Sequence, residues 1–149
     1  MAEATSTLTR DETEALNALL NVVVPPDTER GLPGAADTAF AKYAEGADII
    51  AMVRDGVSQL QREADAQFKT GFARLNTAQQ ADLVKSIERT NAAFFRPFMR
   101  HVVQCYYQDD RVLKGIGVEP RPPFPDGFTV AEGDLTLLEP VVERDPLYR

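Results

Sequence analysis

The 149-residue sequence has no tryptophan, one cysteine and one histidine. A single cysteine excludes an internal disulfide, which suits a reducing compartment or a secreted fold that needs no staple. The same scarcity leaves Cys105 and His101 without the further thiols and imidazoles of an iron–sulfur cluster or a closed zinc site. Basic charge is short too: 16 Lys and Arg against 23 Asp and Glu leave a net charge of −7. That balance disfavours nucleic acid and anionic membrane surfaces, which are bound by cations that displace counterions. Long apolar runs are missing, since Leu19 to Val24 is far too short to span a bilayer. The first residues show no basic region, apolar stretch or twin arginine. The chain as written therefore reads as cytoplasmic, and as periplasmic if a twin-arginine leader was removed. No glycine-rich nucleotide loop is present, because Gly115-Ile116-Gly117 lacks the third glycine, the preceding strand and the following helix.

What is present is helical. Thr9-Arg10-Asp11-Glu12 has the spacing of a capping box, and Leu16, Leu19, Leu20 and Val23 continue as one apolar face until Pro25-Pro26 stops the helix. Asp27 to Gly34 is a turn-rich loop. A second helical region from about Ala35 presents Phe40, Tyr43, Ala44 and Ala47, then Ile50, Val53, Val57, Leu60, Ala64 and Phe68. Gly46 and Gly56 each weaken it by about 1 kcal/mol relative to Ala, so one kinked helix or two shorter ones both satisfy the pattern. Thr77 and Gln80 read as the capping box of the next helix, which carries Leu83, Val84, Ile87, Phe94 and Phe95. Pro97 marks a kink or the first turn of a new helix with Phe98, Met99, Val102, Val103, Tyr106 and Tyr107. After Asp110 the periodicity is lost among Gly115, Gly117, Pro120, Pro122, Pro123, Pro125 and Gly127. The expectation is an all-α fold, a small helical bundle with a long irregular Pro/Gly-rich C-terminal arm. Residues 1–8 are a loose start, 9–108 the helical body and 109–149 the extended arm of one domain, whose length suffices for a modest core.

The search for chemistry is mostly negative. His101 and Cys105 stand four apart on one helix with Asp109 next in the row, a workable pair of zinc ligands or a Cys–His dyad. Ligand count favours the plainer reading, with His101 hydrogen-bonded at an edge and Cys105 packed as a small apolar residue. Asp109-Asp110 looks like a helix-ending turn and not an acid–base pair held across a cleft. Catalytic, cofactor-binding and metal-binding residues are therefore all expected to be none. The apolar residues of the arm, Val112, Leu113, Ile116, Val118, Phe124 and Phe128, are too many for simple disorder and suit docking onto a partner. Tyr106 and Tyr107 join them as candidate contacts, although core packing is their default role. The rival readings are a stand-alone enzyme or metal-binding domain centred on His101 and Cys105, and a self-associating helical adaptor.

The order of segments LLNVVVPPD, GLPGAADTAF, FKTGFARLNTAQQADLV and FFRPFMRHVVQCYYQDDRVLKGIG resembles the gluconate 2-dehydrogenase subunit 3 family. The matching features are Val24-Pro25, Pro33-Gly34-Ala35, Phe72 to Gln80, Phe94-Phe95, Tyr106-Tyr107-Gln108-Asp109 and Gly115-Ile116-Gly117, over about Leu16 to Phe128. The resemblance implies a non-catalytic small subunit that binds and stabilises a large FAD-carrying catalytic subunit of the GMC type, acting on sugars, sugar acids or glycosides. FAD is then expected in the partner and no cofactor in this chain. A cytochrome subunit is a further partner in such complexes, whereas nucleic acid and direct membrane insertion are not expected.

Overall fold

The computed structural model describes residues 8–121, 127, 133–142 and 144. Helix α1 (Arg10–Val23) opens on the expected capping box: Thr9 Oγ1 accepts from the Glu12 amide at 3.3 Å, and Glu12 Oε2 accepts from the Thr9 amide at 2.7 Å. Ala15, Leu16, Leu19 and Leu20 form its buried face. At its end Val24 turns out of the helix ahead of Pro25-Pro26, and its carbonyl accepts from the Ala35 amide. The following loop closes on itself through paired backbone bonds between Asp27 and Leu32, with Gly31 at φ 66° supplying the left-handed residue that the tight turn needs.

The second helical region divides, as one of its two open readings allowed. A 3₁₀ turn at Ala35–Asp37 leads into α2 (Phe40–Gly46), and α3 (Ile50–Phe68) follows after Asp48 adopts positive φ. Gly56 lies inside α3 and is needed there, because a Cβ at this position would sit 2.1 Å from the Phe94 ring. A 3₁₀ turn at Phe72–Arg74 precedes α4 (Thr77–Thr90). The N-cap of α4 is Asn76, with Gln79 completing the box, one residue before the Thr77–Gln80 pair expected from sequence. Gln80 is occupied otherwise, donating to the Phe72 carbonyl at 3.1 Å.

The expected break at Pro97 falls elsewhere. Asn91 ends α4 and caps α5 (Ala92–Tyr106), its side chain accepting from the Phe94 amide and donating to Gln59 on α3. Pro97 lies within α5, one and a half turns in. The first residues of the expected extended arm are also different, because α6 (Asp110–Gly115) is helical, capped by Asp109. It stops in a Schellman motif: the Val118 amide reaches the Leu113 carbonyl and the Gly117 amide that of Lys114, with Gly117 at φ 79°. Further on, a 3₁₀ turn at Leu135–Leu138 runs into α7 (Glu139–Val142).

The described residues thus form a helical bundle without named strands. Helix α1 packs on α3, α4 and both early 3₁₀ turns, and α5 packs on α2, α3 and α4. Phe40, Phe72 and Phe98 are fully buried with Leu16, Leu19, Leu20, Leu60 and Ile87. Each such side chain contributes about 1.5–3 kcal/mol of burial free energy. No described helix is long and apolar enough to cross a membrane.

Candidate interaction surface

The end of α5 and the start of α6 bring most of the candidate residues into view. Tyr106 is buried, and its hydroxyl donates to the Pro33 carbonyl at 2.9 Å, tying α5 to the loop after α1. Burial is the main reason that its hydroxyl pKa is raised. Val112 is completely buried in the core, and Leu113 is half-buried. Tyr106 and Val112 are therefore corrected to core residues, since the α6 helix turns Val112 inward where an extended arm would have left it free. The other candidates remain outside: Tyr107 is 52% exposed, Ile116 46% and Val118 48%. Phe124 and Phe128 lie outside the described residues.

Val103 follows the buried Val102 on the same helix, yet it is 44% exposed. Helical geometry explains it: Val103 is one residue past Val102, which faces the core, and so points about 100° away. Its outward neighbours along α5 are Arg96, Arg100 and Tyr107, all exposed. The spacing 96, 100, 103, 107 would have revealed this second face, but the aromatic pattern of the first drew attention from it.

Beside this region a groove of about 620 Å³ runs between the start of α2 and the α5–α6 junction, lined by Thr38, Ala39, Lys42, Tyr43, Cys105, Gln108, Asp109, Asp110 and Arg111. The row His101, Cys105, Asp109 does not converge on one point. The Tyr43 hydroxyl donates to Gln104 Oε1 at 3.0 Å and shares a 2.9 Å bond with His101 Nδ1. The Cys105 thiol lies 3.8 Å from Thr38 Oγ1, and burial pushes its pKa up, away from a reactive thiolate. Asp109 caps α6 and grips Arg111 at 2.7 and 2.9 Å, bonds that hold its carboxyl below the usual range. Arg111 in turn donates to the Asp37 carbonyl at 2.7 Å, which fastens α6 to the Ala35–Asp37 turn. Among the described residues, no three of His, Cys, Asp and Glu are grouped so as to hold a metal ion.

These features define a helical scaffold whose candidate reactive groups are spent on joining its own elements, with Val103, Tyr107, Ile116 and Val118 among the apolar side chains left exposed. The chain belongs to the gluconate 2-dehydrogenase subunit 3 family, whose model matches residues 10–117. That family name denotes a subunit of a dehydrogenase complex. The matched stretch reaches α1 at one end and closes on Gly117, the glycine that stops α6, short of the Phe128 to which the resemblance was traced. No curated protein and no solved structure matches the chain.

Proposed function

We propose that this chain is a non-catalytic accessory subunit that binds and stabilises a large FAD-dependent dehydrogenase or oxidase of the GMC type, acting on sugars, sugar acids or glycosides. The observation that carries the reading is family membership over residues 10–117, a span that covers all of α1 to α6. The side chains support it: the groups best suited to chemistry, His101, Cys105 and Asp109, are each committed to a structural contact. FAD and the substrate pocket belong to the partner in this reading, and this chain contributes folded surface. Binding only the folded partner stabilises that partner by mass action, by about 2.7 kcal/mol at a hundredfold excess over Kd. A cytochrome subunit would take the electrons onward in an exported complex, and a cytoplasmic pair would pass them to a soluble acceptor.

Co-expression with a GMC-type flavoprotein from the same genome tests the reading. The two are expected to co-purify, and the flavoprotein alone to be less soluble or to melt at lower temperature. A flavoprotein that is fully soluble and active alone, with this chain migrating separately, would overturn it.

A further inference from the structure

The segment from α5 through α6 to Val118 differs in charge from the rest of the chain. Residues 92–118 hold four cations, Arg96, Arg100, Arg111 and Lys114, against two acids, Asp109 and Asp110. That is a net of +2 within a chain of −7, so the remainder carries −9. Arg111 is bound to Asp109, but neither Arg96 nor Arg100 forms an ion pair among the described residues. At helical spacing these two arginines fall in one stripe with Val103 and Tyr107, about 16 Å long, opposite the buried Phe94, Phe98 and Val102. The stripe holds no acid and no lysine. Arginine and tyrosine are enriched at protein-interface centres, where Asp, Glu and Lys are depleted.

We infer that this stripe, Arg96, Arg100, Val103 and Tyr107, is where the catalytic subunit docks, through an apolar groove flanked by carboxylates. The inference rests on the function proposed above and adds the surface and the chemistry of its complement. Charge complementarity selects the occupant. The chain's net charge of −7 disfavours an anionic membrane as a whole, whereas carboxylates flanking a groove on the partner meet the two arginines locally. A two-fold contact between copies would set the same arginines against one another, and membership in a family of dehydrogenase-complex subunits points to a different chain. A stripe of this length covers part of the roughly 800 Å² that a stable partner interface buries on each side, so further exposed residues around it complete the contact.

The test compares full-length variants for binding to the co-expressed flavoprotein. R96E/R100E and V103D are each expected to weaken the complex by about tenfold or more, while the isolated variants melt like the parent. R62E/K85E, an equal charge change on exposed positions of α3 and α4, is expected to stay within about twofold. The parent complex is expected to weaken with added salt, and R96E/R100E to lose most of that dependence. A parent complex that tolerates both stripe variants overturns this inference and leaves the subunit function standing. No complex with the parent chain overturns both. Binding to phosphatidylglycerol vesicles that R96E/R100E abolishes assigns the stripe to a membrane, and a dimer in light scattering that V103D dissociates assigns it to self-association; either overturns the inference.

Discussion

At Gly56 the fold depends on the absence of a single methyl group. A Cβ there would lie 2.1 Å from two carbons of the Phe94 ring, itself stacked on Phe98 at 5.3 Å. G56A gains about 1 kcal/mol of helix propensity but overpacks the core, and overpacking costs about 1–3 kcal/mol. Chemical denaturation is expected to show net destabilisation, and F94L in the same chain to recover part of it, a coupling that a double-mutant cycle reads directly. Asp109 gives a residue-scale effect of another kind. Its carboxyl is held below its ordinary value of 3.8, chiefly by the side-chain bonds from Arg111. A depressed carboxyl adds stability that is complete above that ordinary value and disappears as pH falls through the lower folded value. D109N keeps an oxygen for the cap but loses the charge-assisted grip on Arg111. It is expected to be less stable than the parent at pH 7 and to converge on it as pH falls from 3.8 through the lower folded value of Asp109 in urea titrations.

Among the elements, helix starts were legible when one set of side chains led at the spacing and ambiguous when two competed. Thr9–Glu12 comes ahead of the other pair at that spacing, Asp11–Glu14, and is the one that starts with a hydroxyl, so the start of α1 could be read directly. At α4 both Asn76–Gln79 and Thr77–Gln80 have box spacing, and tertiary structure decides, because Phe72 and Leu75 are buried and the Phe72 carbonyl claims Gln80. N76A is therefore expected to cost about 1 kcal/mol and T77A much less, measured by thermal denaturation of the two variants. Pro97 drew the expected break to itself, since a proline is the strongest local signal. The actual joint at Asn91 depends on Gln59, a residue 32 positions away that no local pattern includes. Helix α6 is six residues long, too short to show periodicity, and its glycines looked like breakers when Gly117 is in fact its terminating cap. The core face of α5 was legible because aromatic residues mark it, but its outer face was not, since arginines on a helix are ordinarily just solvated.

For the molecule as a whole, the core and the family match end almost together. Val112 is the last residue of the described core, and the match closes at Gly117. A chain stopped after Val118 is expected to keep α1 to α6, losing among the described residues only the helical signal of 135–142, and to melt within about 4 °C of the full chain in circular dichroism. Its affinity for the flavoprotein is expected to drop if the arm adds contacts, as Phe124 and Phe128 suggested from sequence. The joint at Asn91 bears on which way the two faces of α5 look. One residue both closes α4 and opens α5, and its side chain is anchored to α3. A helix advances about 100° per residue, so a joint with no spare residue fixes the azimuth of everything after it. Asn91 thus acts as a phase reference: it decides that the phenylalanines of α5 look inward, and by the same setting that its arginines look out.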